Sequence, residues 1–214
     1  MSTGRLDPVT LQVLVGALRS ACDEMGAVLI RAAHSANIKE RHDCSTALFD
    51  SAGELVMQAE HIPVHLGSMP DAVLAVLDEE QVPGRQWILN DPYRGGTHLP
   101  DITLIAPVFE DEQLIGFAAS RAHHADIGGP TPAGMPVDSR RLDEEGVVIP
   151  PTPIHGVEEL EGFAQRMRSP RQRLADLLAQ RAANLVGERR MHEIAARRGL
   201  DRLRDGMREI LDYA

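Results

Sequence analysis

Two β-rich runs, Ile102–Phe109 and Leu114–Ser120, are separated only by the polar stretch Glu110-Asp111-Glu112-Gln113. A connection this short leaves the two runs little choice but antiparallel pairing in a hairpin. The hairpin also fixes what lies at its open end. With the turn centred between Asp111 and Glu112, Asp101 is expected opposite Ala122, and His98 opposite Ala125. The segment His98-Leu99-Pro100-Asp101 therefore meets His123-His124-Ala125-Asp126. Directly opposed side chains in such a ladder lie roughly 5 Å apart at Cβ and diagonal ones about 7–8 Å, close enough for polar side chains to share one ion. Imidazole nitrogens with carboxylate oxygens suit Mn²⁺, Fe²⁺ or Zn²⁺ better than a thiolate-demanding metal. On spacing alone, a metal or catalytic site competes evenly with ordinary strand-end capping by the same residue types.

Periodicity supplies the rest of the frame. Asp7-Pro8 is a helix start, and Leu11, Leu14, Leu18, Cys22, Met25, Leu29 and Ala32 follow at steps of three and four, a buried helical seam expected to end near Ser35–Asn37. Ser45–Asp50 and Leu55–Gln58, around Ser51-Ala52-Gly53, predict a second hairpin. Pro70–Glu79 reads as a helix, Trp87-Ile88-Leu89 as a short strand, and Asn90–Gly96 as a loop. Residues 128–156 hold many of the prolines and glycines and are expected to be loop or linker. Pro170 to Tyr213 is helical by pattern, with a break near Gly199. The expectation is an α+β fold of antiparallel β-hairpins in a sheet flanked by helices, divided into a metal-site unit over 1–164 and an Arg-rich helical segment over 165–214 that begins a truncated remainder.

Charge and composition narrow the function classes. Residues 1–164 carry 10 basic and 25 acidic side chains, and residues 165–214 carry 12 and 7. The acidic part repels nucleic acid and anionic membranes, and the basic part interleaves its charges at helical spacing, as a helix docked on the acidic part would. Aromatic residues make up 3%, too few for base-stacking surfaces. Cys22 and Cys44 form no CxxC pair and read as reduced thiols. No signal peptide or apolar run of membrane-spanning length is visible, so a cytoplasmic protein is expected. Gly95-Gly96 and Gly128-Gly129 allow close backbone approach to a ligand, but no phosphate loop or dinucleotide fingerprint occurs. Three further polar sets stand out: Asn37–Asp43 with the chain's single lysine, Lys39; His61 and His65 around Pro63; and Asp176, Gln180 and Asn184 on one helix face. Pro63 argues against both histidines sharing a helix face.

Several of these segments together resemble one family. Asn37-Ile38-Lys39-Glu40-Arg41, His61–Met69, Asn90-Asp91-Pro92-Tyr93, Gly95–Asp101, His123–Gly129, Gly146–Pro151 and Asp176–Asn184 are similar to the signatures of the hydantoinase B/oxoprolinase family. The resemblance implies a B-type subunit working beside an A-type subunit that uses ATP to activate a small cyclic amide, in an oligomeric complex. Hydrolysis of the activated amide is the implied reaction. A carboxylase subunit of the acetone or acetophenone type is the alternative, and a truncated, non-catalytic partner-binding chain is a further one. By likeness to the manganese site of the acetone carboxylase branch, the metal ligands would be Glu40, His98, Asp101 and His123, with Glu60 the other carboxylate of the upstream region. His124 or Asp126 would serve as general base or orienting group. Cys44 stands where that motif carries Phe, and the chain is shorter than family members.

Overall fold

The computed structural model describes residues 5–60, 65, 67–132 and 136–213. Helix α1 (Pro8–Ala32) starts where the Asp7 carboxylate accepts the backbone amides of Val9 and Thr10, at 3.1 and 3.0 Å. A short helix, α2 (Ala36–Lys39), leads into strands β1 (Cys44–Asp50) and β2 (Leu55–Glu60), joined through Gly53 at φ 81°. Helix α3 (Met69–Leu77) and strand β3 (Gln86–Leu89) come next, and then the long hairpin of β4 (Asp101–Glu110) and β5 (Gln113–His123). Strand β6 (Thr152–Ile154) and helix α4 (Val157–Gln165) precede α5 (Pro170–Arg198) and α6 (Leu200–Tyr213), which are separated at Gly199. No helix among the described residues is long and apolar enough to cross a membrane.

The strands form one antiparallel sheet in the order β2-β1-β5-β4-β3-β6. Alternation along the central strands sends successive side chains to opposite faces. Leu48, Ala118 and Ala122 pack with Leu18, Met25 and Leu29 of α1 and with Ala183 and Met191 of α5. Ala47, Phe49, Ile105, Phe117 and Ala119 pack under Met69, Ala72, Val73 and Val76 of α3. One face is thus covered by α1 and α5, the other by α3. At the end of the sheet where β4 begins and β5 finishes, the α3 face turns polar: Ser45, Asp101, Thr103 and Arg121 are buried there.

The hairpin register differs by one residue from the expected one. Phe109 pairs with Leu114 but Val108 pairs with Gly116, so Ile115 is an extra residue, a β-bulge. From there to the open end the ladder is displaced, and Asp101 faces His123 rather than Ala122. The bulge has no sequence signature, because Ile115, Gly116, Phe117 and Ala118 are all buried and the strand shows no polar-apolar alternation. Residues 128–156, expected as loop, contain β6, which pairs with β3 along the sheet edge. They also contain a 3₁₀ turn, Leu142–Glu144. Helix α4 also went unread. It starts at Gly156, whose amide donates to the Glu159 carboxylate at 3.0 Å in place of a Ser or Asp cap.

Candidate metal centre

His98, Asp101 and His123 each offer a ligand atom within 4.8 Å of the others, the group of this kind found among the described residues. The bulge is what makes this possible, since it puts Asp101 and His123 on one face of the sheet, directly across from each other. His98 arrives from the loop before β4. That loop is pinned by Asn90, whose buried amide donates to Leu99 O at 2.7 Å and Val147 O at 2.9 Å and accepts from Ile149 N at 2.6 Å. The loop also packs tightly on itself and on α3: a Cβ on Gly95 would lie 2.6 Å from Asp71 O, and one on Gly96 would lie 2.5 Å from Asn90 O. These glycines serve chain-to-chain contact, where the sequence suggested approach to a ligand.

Asp101 is the hub. Its Oδ2 accepts from Thr97 Oγ1 at 2.7 Å, lies 3.0 Å from His98 Nδ1 and is 3.5 Å from His65 Nε2. Burial opposes ionisation of this carboxyl, yet the neighbouring His65 and His98 hold it far below the usual carboxylate range. The hydrogen bond to Asp101 pushes the His98 imidazole up, against the effect of its partial burial. Burial pushes His123 down, although Asp101 and Asp43 act in the other direction. The two imidazole rings stand 5.1 Å apart between centroids. His98 retains 39% side-chain exposure while Asp101 retains 2%, so the group is closed beneath and open on the His98 side.

Three buried polar atoms around this group have no hydrogen-bond partner among the described residues: Asp101 Oδ1, Asp43 Oδ1 and His65 Nε2. His65 Nδ1 is held by Ser45 Oγ at 3.0 Å, and its Nε2 lies 3.8 Å from Asp43 Oδ1. Leaving buried polar atoms unpaired is costly. A carboxylate oxygen left open between imidazoles is the donor set that a borderline divalent cation satisfies. The residues present therefore fit the metal that the spacing suggested.

The other expected residues lie elsewhere. Glu40 is exposed at the C-terminus of α2 and is not part of the close group. The side chain of Glu60, and His61, lie outside the described residues. His124 points to the opposite face, fully buried, with Nε2 2.9 Å from Gln180 Oε1. Gln180 spends both amide hydrogens on Ile102 O and Ser120 O, so its oxygen must accept from His124 and the His124 proton sits on Nε2. Burial pushes this imidazole down to about 4. Asp126 is bound to Arg168 at 2.9 Å and accepts the Gly128 amide.

Arg121 was not anticipated. It is fully buried on the α3 face, donating from Nε to Thr103 Oγ1 at 2.8 Å and from its two terminal nitrogens to Ser68 Oγ at 2.6 Å and Gly95 O at 3.2 Å. It thus ties the start of α3 and the His98 loop to the sheet. Flanked by Ser120 and Ala122 in an apolar strand, it had no partner visible in the sequence.

Known proteins are similar to this chain in sequence and in fold. The 5-oxoprolinase of Dictyostelium discoideum is 41% identical over 207 residues, which are 93% of this chain and 16% of that protein. The caprolactamase subunit beta of Pseudomonas jessenii is 35% identical over 98% of the chain and 37% of its own length. The crystal structure of the ATP-dependent caprolactamase from that organism superposes with a TM-score of 0.91 over 98% of this chain and 38% of that one. Nucleotide-free acetone carboxylase shares the fold, with a TM-score of 0.86 at 19% identity over 94% of this chain and 28% of that one. The chain thus spans less than two-fifths of the length of each of these relatives. Its sequence matches the hydantoinase B/oxoprolinase description over residues 7–214, and the chain belongs to that family.

Proposed function

We propose that this chain carries the metal site of a B-type subunit in an ATP-dependent enzyme that hydrolyses an activated cyclic amide. The observation that carries the reading is the convergence of His98, Asp101 and His123 around buried oxygen and nitrogen atoms that have no hydrogen-bond partner among the described residues. Relatives named for 5-oxoproline and caprolactam, both cyclic amides, support the substrate class. A relative that is itself a beta subunit supports a complex with a second, A-type chain that would bind ATP. The two buried free thiols suit a reducing cytoplasm.

In this reading His98, Asp101 and His123 hold Mn²⁺, Fe²⁺ or Zn²⁺. Of the two acidic residues between α2 and β1, Asp43 is the better fourth ligand, because its Oδ1 is buried without a hydrogen-bond partner among the described residues while Glu40 is exposed. Such an ion, when bound, polarises a carbonyl or lowers the pKa of a bound water. Asp101, ionised throughout the physiological range, supplies the compensating charge, and Thr97 and the loop pinned by Asn90 fix its direction. The half-exposed His98 leaves the side on which a small cyclic substrate can approach. His124, buried on the opposite face against Gln180, and Asp126, paired with Arg168, fix the chain beyond β5 and do not act as bases at the reacting atoms.

The test is elemental analysis and Mn²⁺ titration of the purified chain beside His98→Ala/His123→Ala, followed by reconstitution with an A-type subunit, ATP and a lactam. Stoichiometric metal in the parent, lost in the double variant together with turnover, is expected. A double variant that stays fully active in the reconstituted complex overturns the reading, and a bicarbonate requirement in turnover replaces hydrolysis by carboxylation.

A further inference from the structure

The nitrogen that His123 can offer is decided by the proton on its other nitrogen, and the chain provides a side chain at that position. Asn37 Nδ2 lies 3.0 Å from His123 Nδ1. With Nδ1 engaged, Nε2 is the nitrogen left to face His98 and Asp101. The carboxamide can meet Nδ1 with its N–H, which puts the ring proton on Nε2 and closes that nitrogen to an ion. After a half-turn it meets Nδ1 with its oxygen, which keeps the proton on Nδ1 and leaves the Nε2 lone pair free.

The backbone around Asn37 is tied to the same imidazole. Asn37 O accepts from Asp43 N at 3.0 Å, and Asp43 O accepts from His123 N at 3.0 Å, closing a ring of three residues with the side-chain contact. The helix carrying Asn37 is fixed from behind. The buried Asp176 carboxylate of α5 accepts His34 N at 2.7 Å and Ser35 N at 3.0 Å, and Arg173 balances its charge at 3.0 Å. Ser35 O in turn accepts Lys39 N at 2.9 Å.

We infer that Asn37 is a positioning residue that selects the His123 tautomer, turning its amide oxygen to Nδ1 so that Nε2 is presented to the metal. This deepens the proposed function and rests on it for the metal, but the tautomer can be read without one. A partner on the far nitrogen of a metal-binding histidine typically changes affinity by roughly 10–100-fold when removed.

The experiment compares the parent with Asn37→Asp, which can only accept, and Asn37→Leu, of similar size and able to do neither. Nitrogen-15 spectra of the imidazoles report the His123 tautomer in metal-free protein, assigned by the resonances missing in His123→Gln, and calorimetry reports Mn²⁺ affinity. Asn37→Asp is expected to fix the proton on Nδ1 and to keep or raise affinity. Asn37→Leu is expected to give mixed tautomers and affinity about tenfold or more weaker, with unchanged helix content. Parent-like tautomer and affinity in Asn37→Leu overturn the inference. So does a metal-free Asn37→Asp protein that keeps its proton on Nε2, which decides the matter even if Asn37→Leu fails to fold. A parent that takes up no Mn²⁺ defeats the proposed function, and the spectra of the same proteins still decide the role of Asn37.

Discussion

At the scale of single residues, the molecule contrasts two adjacent histidines. His123 and His124 follow each other at the end of β5, so the strand sends them to opposite faces. His124, held neutral by burial with a pKa of about 4, must acquire a proton if the chain unfolds in mild acid. The unfolded state then binds more protons than the folded one between about pH 6.5 and 4, so stability falls as pH drops through that window. The loss is about 1.4 kcal/mol per pH unit, on the order of 3 kcal/mol in all. Urea unfolding of the metal-free chain at about pH 7, 5.5 and 4.5 should show this decline. His124→Leu, though weaker at neutral pH, should show a flatter profile, and an equal slope in both proteins would contradict the assignment. Arg121 makes the second prediction at this scale. Replacing it by Leu leaves Thr103, Ser68 and Gly95 O without their buried donor, which should cost roughly 2–4 kcal/mol in denaturant unfolding. Neither residue's role was legible in the sequence, because the partners Gln180 and Ser68 lie far away along the chain and only the packed fold brings them near.

Among the elements, α5 carries the most chemistry outside the metal group. Asp176, Gln180 and Asn184, one helix face whose polar spacing alone suits solvent, are buried, and Arg173 is buried beside them. This stripe clamps the α1–α2 junction through Asp176 and the ends of the hairpin strands through Gln180. Asp176→Ala should destabilise the chain by roughly 3–5 kcal/mol, since it strands the buried Arg173 guanidinium as well as two backbone amides. Thermal and urea unfolding check this. Strand β5 presses just as closely on β1: a Cβ on Gly116 would sit 2.2 Å from Phe49 O, so Gly116→Val should open that ladder and cost several kcal/mol, on the order of other overpacked core changes. The long helices and both hairpins were readable because caps and periodicity are local. The short β6 and α4 were not. The first contains Pro153 in a three-residue edge strand, and the second starts at a glycine.

For the molecule as a whole, the elements expected from the sequence assemble into one sheet with helices on both faces, and hairpin geometry brought the segments His98–Asp101 and His123–Asp126 together, while the direct opposition of Asp101 and His123 depends on the bulge at Ile115. Asp43 and His65 were named only as members of polar runs. Their approach to Asp101 depends on how β1 lies against β5, which no local pattern encodes. A ligand that binds only the folded chain raises its stability by mass action, about 2.7 kcal/mol at a hundredfold excess over its dissociation constant. Saturating Mn²⁺ should therefore raise the melting temperature of the parent by several degrees and leave His98→Ala/His123→Ala unmoved. Calorimetry with and without a chelator reads both.

The single bulged residue at Ile115 gives the hairpin a parity. Because side chains alternate, the stretch of chain between Asp101 and His123 can grow or shrink by two residues and still return His123 to the same side, lengthening or shortening the ribbon like rungs added to a ladder. A change of one residue sends His123 to the α1 and α5 side and His124 or Ala122 into its place, unless a bulge is gained or lost with it. The spacing between the two motifs is thus odd or even by necessity before it is long or short. Chains of this family whose hairpins differ in length should differ by even numbers, or else carry their own irregularity to restore the count.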